Sequence, residues 1–390
     1  MNICFICNEY PPGLHGGIGT VTQVLARALT QAGHRVRVVG VYPPGYGGAD
    51  LEEDRGVVVR RLRARTYRLG GVVDRARLFW LVRGWAKAGQ ADVVEVPDYQ
   101  GWAAWWPRLG IPVVGRLQSS SSLLRVEQGR PLSSRTFRFE GASLRRCDYW
   151  CSASRYTAEK TKALFSLESE PRAILPNPVQ LAPFTGVPAR CRARVMFSGT
   201  LAPLKGIVPL IDAWTSVVAG RRDAELHIYG KDGGTYDGQP MWAYLSSRMG
   251  DPAALGVHYH GHVPRPELLQ ALTCARVAVF PSFIEGFANA PLEAMACGCP
   301  TIFTALASGP EVIEDGRDGI LVNPREPAQI ADAILRLLQD DDLAGRLSAA
   351  GYDRVRRDFS IERLLPMNEA MYADAIRSFA GSRSGPVARH

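Results

Sequence analysis

FIEGFANAPLEAMACGCP, residues 283–300, sets two glutamates, Glu285 and Glu293, eight positions apart, with a glycine, small residues and a proline between them. The run before it, ARVAVFPS (275–282), is short, apolar and rich in valine, the pattern of a buried strand. Glu285 therefore falls in the loop at the carboxyl edge of a sheet. Asn289 is a candidate helix N-cap, and Pro291 then lies in the first turn, where a missing N–H costs nothing. Glu293 follows near the same helix end. One helical turn and a short loop can thus carry both carboxylates to one small-molecule pocket, with the N–H groups of Gly286, Phe287 and Ala288 facing it. A second reading has Glu293 only complementing the helix dipole. Spacing alone leaves both open.

Outward from this stretch, strand and helix patterns alternate. Before it come ARVMFSGT (193–200), KGIVPLIDAWTSVV (205–218), AELHIYGK (224–231) and GVHYHGHV (256–263). The first half repeats the scheme: NICFICNEY (2–10), a glycine-rich turn, a helix with Ile18, Val21, Leu25, Ala28 and Leu29 on one face, then HRVRVVGVY (34–42), ADVVEVPD (91–98) and IPVVGRLQ (111–118). Strands alternating with helices predict parallel sheets covered on both faces. The proline-rich segment AILPNPVQLAPF (173–184) reads as the link between two halves. The expected class is α/β, with two Rossmann-like, doubly wound domains facing a central cleft where ligands bind at the strands' carboxyl ends. The expected boundaries are 1–178, 179–363, a helix over 364–380 crossing back to the first domain, and a flexible tail over 381–390.

With 390 residues, 46% hydrophobic and 22% charged, the composition is that of an ordinary two-domain globular chain. No apolar run is long enough to span a membrane, and the apolar start MNICFIC lacks a basic leader and cleavage site. A cytoplasmic location is expected, in keeping with eight scattered cysteines. Cys4 and Cys7 lie three apart on a strand, so they point to opposite faces and converge poorly on one ion. The net charge of +8 concentrates between Arg55 and Lys87, where Arg60, Arg61, Arg63, Arg65, Arg68, Arg75, Arg77 and Arg83 face only Asp74. This reads either as a solvated helix-and-loop surface or as attraction to an anionic partner, such as acidic lipid at the inner membrane face. No nucleic-acid-binding module shows itself, so nucleic acid is not expected as a partner.

PSFIEGFANAPLEAMACGCPTI, followed by SGPEVIEDGRDGILV, resembles the E-x7-E signature of the retaining, GT-B-fold glycosyltransferases of family 4. The likeness extends to SGTLAPLKG (198–206), LPNPV (175–179) and EYPPGLHGGIGT near the start, in family order across most of the chain. The resemblance implies a retaining, metal-independent glycosyltransferase that needs no cofactor. Its partners would be a nucleotide sugar and a glycan or glycolipid acceptor, in polysaccharide or glycolipid assembly. Glu293 would take the ribose hydroxyls and Glu285 the hydroxyls of the transferred sugar, since ionised carboxylates accept bonds from paired hydroxyls. Gly286, Phe287 and Ala288 would hold sugar and phosphate through their amides. Lys205, at a helix start, would stabilise the leaving diphosphate. Gly199 and Thr200 lie in the same loop, and Gly16 and Gly17 would bring backbone close to the donor from the other domain.

Two positions depart from the family pattern. Thr200 stands where an arginine is common, and Gln118 where a histidine often lies near the anomeric centre. Gln118 and Ser119, with the serines after it, are then candidates for the acceptor side. These departures keep two rivals open: a nucleotide-sugar-binding protein without transferase activity, and a nucleotide-sugar epimerase or hydrolase. The GGIG run also invites a dinucleotide reading, but VRVVGVY ends without the acid that a ribose would need. HYHGH sets His258, His260 and His262 on one strand face, a metal-binding spacing, whereas the family uses no metal. Phe79, Trp80, Trp85 and GWAAWWP (101–107) read as core and surface, or as an aromatic wall for an acceptor.

Overall fold

The structure, a computed structural model, describes residues 1–13, 15–181 and 192–384. The chain divides into two compact units, one made of Met1–Pro178 with Ile361–His390, the other of Val179–Ser360.

In the first unit the order is β1 (Asn2–Ile6), α1 (Gly17–Gln31), β2 (Arg35–Tyr42), β3 (Leu51–Asp54), β4 (Val57–Arg63), α2 (Gly70–Lys87), β5 (Val93–Pro97) and β6 (Val113–Leu117). There follow α3 (Ser121–Glu127), α4 (Ser134–Arg146), β7 (Tyr149–Ser152) and α5 (Arg155–Phe165). The seven strands form one sheet, ordered β3-β4-β2-β1-β5-β6-β7, parallel except for the β3–β4 pair. Residues alternate across β1. Ile3, Phe5 and Cys7 pack with Leu25 and Leu29 of α1, and Cys4 and Ile6 with Leu78 and Val82 of α2. Cys4 and Cys7 are thus core thiols on opposite faces, and burial pushes both up to about 12, far from the thiolate that a metal needs.

The second unit runs β8 (Arg194–Ser198), α6 (Ile207–Gly220), β9 (Glu225–Tyr229), the short pair β10 (Thr235–Tyr236) and β11 (Gln239–Pro240), α7 (Met241–Met249), β12 (Val257–Gly261) and α8 (Arg265–Cys274). It continues through β13 (Val277–Phe280), α9 (Asn289–Ala296), β14 (Thr301–Thr304), α10 (Gly309–Val312), β15 (Ile320–Val322), α11 (Pro327–Gln339) and α12 (Asp341–Arg354). Six parallel strands make its main sheet, ordered β12-β9-β8-β13-β14-β15. Its core gathers Trp214 of α6, Phe197 of β8 and the apolar stripe Ile330, Ile334, Leu337 of α11. Strands buried on both faces explain why their sequences are nearly all apolar.

A last helix, α13 (Ile361–Ser384), belongs to the first unit and packs on α1 and β5. It begins three residues before the expected 364 and covers 381–384 of the expected tail; residues 385–390 lie outside the described ones. Its seat is polar at the centre. Arg116 of β6 holds Glu95 of β5 through two bonds of 2.8 and 2.9 Å and donates to Asn368 of α13 at 2.6 Å. Tyr372 donates to the same carboxylate at 2.6 Å.

The arginine-rich stretch differs from the surface reading. VVVRRLR is strand β4, and Arg61 is buried, pairing with Glu52 at 2.7 Å and donating to the Ala49 carbonyl at 3.0 Å. The two terminal nitrogens of this buried guanidinium find fixed acceptors, which offsets the cost of its burial. Among the described residues no helix is long and apolar enough to cross a membrane.

Candidate functional site

β8 and β13 are neighbours in the second sheet, so the loops leaving their carboxyl ends lie side by side. They are pressed together. Gly206 sits at φ +71, and a Cβ there would stand 1.7 Å from the Pro281 carbonyl oxygen, so only glycine fits. Phe283 N donates across to Leu204 O at 2.8 Å. This contact is how Lys205 meets Glu285 across 80 residues of sequence.

Lys205 ends a 3-10 turn, Pro203–Lys205, immediately before α6. Its ammonium donates to Glu285 Oε1 at 2.7 Å, and the Ser282 hydroxyl donates to the same oxygen at 2.8 Å. Ser308 Oγ donates to the Glu285 backbone carbonyl at 3.0 Å. Carboxylate and backbone are both fixed, and the Glu285 residue is 9% exposed while the Lys205 side chain keeps 31%. A cation and a carboxylate with remaining acceptor capacity thus share one small surface at the carboxyl end of a parallel sheet.

Glu293 has its own cation. Arg265, the first residue of α8, donates from Nε to Glu293 Oε1 at 2.9 Å. Sequence reading missed this partner, which lies 28 residues upstream. The N-cap of α9 is Ala288 and not Asn289, which is the first helical residue; the cap makes no side-chain hydrogen bond. Extended backbone at position 288 enters the helix one residue sooner than a side-chain cap at 289 would allow. Pro291 remains in the first turn, as expected. Gly286, Phe287 and Ala288 form the connecting loop, with the Phe287 ring against Phe359 at 5.6 Å. Gly199 N donates to Tyr229 O at 2.9 Å, and Thr200 stands beside Gly233.

The remaining candidates belong to the first unit. Gly16 caps α1 and Gly17 begins it, but the carboxylate of Glu9 already stands there, accepting from Gly19 N at 2.8 Å. Gln118 and Ser119 follow β6 in a loop tied down by Asp98, whose carboxylate accepts from Gln118 N and Ser119 N, each at 3.1 Å. Ser119 sits at φ +92, a costly conformation for a non-glycine residue that these bonds enforce. Ser120 and Ser122 face inward, 0% and 1% exposed, Ser120 as the N-cap of α3. They are therefore not groups for an acceptor to meet.

Burial pushes the Asp98 carboxyl up to about 7, with Glu140 adding repulsion and the two amides opposing it. An ordinary aspartate in the unfolded chain titrates near 4. The folded state then binds the proton more tightly, so this contribution to stability is full below about pH 4 and is lost as pH rises through about 7. Asp98→Asn, which mimics the protonated form, is expected to flatten the decline in stability between about pH 4 and 7 in urea titrations. An unchanged slope would exclude this group as its source.

The three histidines of HYHGH, whose spacing alone would allow a metal, do not share one strand face. Strand β12 ends at Gly261, whose φ of +67 turns the chain, so His262 leaves the strand face. His258 instead meets His227 and Glu225 of the adjacent β9.

Comparison with known proteins gives two family matches in tandem: "Glycosyl transferase 4-like domain" over residues 16–178 and "Glycosyl transferases group 1" over 192–340. A glycogen synthase of Mycobacterium tuberculosis is 26% identical, covering 97% of this chain and 95% of its own length. Among solved structures, a sucrose-phosphate synthase from Thermosynechococcus elongatus superposes with a TM-score of 0.76 at 20% identity, covering 96% of this chain and 99% of that one. Anabaena HepE, solved with UDP and glucose, gives 0.73 at 17% identity, with coverages of 96% and 99%.

Proposed function

This chain belongs to the GT-B glycosyltransferases, and from that premise we propose that it moves a sugar from a nucleoside diphosphate sugar to a hydroxyl acceptor with retention of configuration, without a metal ion or cofactor. The observation that carries this reading is the cluster of Lys205, Ser282 and Glu285. When the anomeric carbon parts from the diphosphate, negative charge grows on the leaving oxygen. A positioned ammonium beside the start of α6 stabilises it. The acceptor oxygen bonds to the anomeric carbon on the face that the diphosphate leaves, and its proton goes to the leaving phosphate oxygen. Glu285, held from behind by Ser282, accepts hydrogen bonds from the sugar's hydroxyls. The amides of Gly286, Phe287 and Ala288 serve sugar and phosphate. Gly199, Thr200, Gly16 and Gly17 complete the donor side, and Gln118 and Ser119 are assigned to the acceptor.

Glu293 is assigned to the ribose, with Arg265 orienting the carboxylate. The test is calorimetric titration with UDP, GDP, ADP and NAD. One nucleoside diphosphate is expected to bind in the micromolar range, UDP being the first to try given the HepE likeness. Glu293→Ala should weaken it roughly 10- to 100-fold, as loss of charged hydrogen bonds does. Binding of NAD alone, or undiminished affinity in the variant, overturns the assignment.

The likeness to a glycogen synthase supports a glycan acceptor in polysaccharide or glycolipid assembly. A cytoplasmic protein touching the inner membrane face belongs to the same reading. Leu69, Val72 and Trp80, 65%, 52% and 65% exposed, align along one face of α2, with Arg83 over the Trp80 ring at 5.7 Å. Trp80→Glu is expected to cut co-sedimentation with phosphatidylserine vesicles about 10-fold or more; equal sedimentation would remove the membrane from the reading.

A further inference from the structure

β12 is the edge strand of the second sheet and β9 its parallel neighbour, in a register that sets His258 opposite His227. Alternation along each strand then collects Glu225 and His227 from β9, and His258 and His260 from β12, on one face. Their neighbours Leu226, Ile228 and Val257 go to the core on the other. One ligand atom from each of Glu225, His227 and His258 lies within 4.8 Å of the others. His227 is buried and uses both ring nitrogens, Nδ1 at 3.0 Å from His260 Nε2 and Nε2 at 3.2 Å from a Glu225 oxygen. The His227 and His260 rings stack within 8° of parallel.

We propose that Glu225, His227 and His258, with His260 as the hydrogen-bonding partner behind them, bind one divalent first-row transition ion, Zn2+ or a close neighbour in the series, pinning β9 to β12. Two imidazoles and a carboxylate, with water in the fourth place, are an ordinary donor set for such ions. The 3.2 Å between His227 Nε2 and the Glu225 oxygen is close to the roughly 3.3 Å that two ligands about 2 Å from one tetrahedral ion must keep. Without the ion, His227 donates from Nε2 to Glu225 and accepts from His260 at Nδ1. With it, both rings change tautomer: Nε2 of His227 takes the metal and Nδ1–H donates to His260, with no net loss of a proton. The His260 contact then orients the ligand, as partners of metal-bound histidines do.

Other charges face the cluster. Arg194 from β8 opposes a cation, whereas Glu267 from α8 favours one; Tyr229 and Cys274 stand nearby. None of these four residues takes part in the proposed sugar transfer, so the site stands or falls independently of that reading.

The test uses the full chain without an affinity tag, stripped with a chelator. Zn2+ titrated by calorimetry is expected to bind once per chain, and Co2+ to give the visible absorption of a four-coordinate ion. His258→Ala should weaken Zn2+ at least 10-fold and His258→Ala/His260→Ala at least 100-fold, whereas His262→Ala leaves it unchanged. The replaced side chains are exposed, and an unaltered metal-free melting temperature shows that the variants fold. Zn2+ should raise the melting temperature of the parent and not of the double variant. Binding weaker than about 1 mM, or binding that the double variant retains, overturns the site.

Discussion

Lys205→Ala will lower kcat for sugar transfer by roughly 100- to 1,000-fold, the loss typical when one preorganised group facing developing charge is removed. The ammonium is held 2.7 Å from Glu285, on a turn that Gly206 presses against Pro281. Glu285→Ala is expected to abolish transfer while leaving nucleoside diphosphate affinity within a few-fold of the parent, because the proposed role of the residue is to meet the sugar and not the nucleotide. Single-turnover assays with a radiolabelled donor and a glycan acceptor measure both. Transfer within 3-fold of the parent in either variant sinks the assignment. Product formed by the parent separates a transferase from the rival readings, since a mere binder or an epimerase forms no new glycosidic bond.

Arg116→Met carries the largest expected effect on folding. Arg116 is 3% exposed, and its loss leaves the buried Glu95 carboxylate with Tyr372 as its one remaining side-chain donor among the described residues. Removing one partner of a buried ion pair costs about 3–5 kcal/mol. Burial keeps the Tyr372 phenol well above its ordinary range, so it remains a neutral donor and supplies no positive charge to replace the guanidinium. Denaturant titration should therefore show a much earlier transition, with α13 the element released, because both Asn368 and Tyr372 reach the pair from that helix. Arg116→Met/Glu95→Leu is expected to recover most of the loss, as apolar replacement of a whole buried pair often does. A double variant as weak as the single one would mean that the pair itself is not the cause.

Much of this was written in local pattern. The apolar strands, the alternation with helices and the E-x7-E stretch are all short-range features, and the two parallel sheets follow from them. What local pattern hides is any residue whose burial is settled by distant partners. VVVRRLR looks like surface because it carries three arginines, yet Arg61 is buried by Glu52 and backbone carbonyls that only the fold supplies. Arg265 gives no sign of serving Glu293, because α8 and α9 come together only through the tertiary packing. His227 and Glu225 were likewise invisible beside HYHGH, since register between two parallel strands cannot be read from either strand alone. Asn289, by contrast, was a local inference that local geometry overruled.

The second unit is threaded into the first as an insertion, and its two ends meet: Val179 N donates to the Phe359 carbonyl at 2.9 Å, and Val179 bridges Ser360. A segment whose ends already touch is a cassette. It can be cut out or replaced as one piece, with Pro178 and Ile361 as the seam and α13 left on the body it stabilises. Recombination at that seam would exchange the whole second unit while leaving the buried Arg116 network, and the stability it governs, untouched.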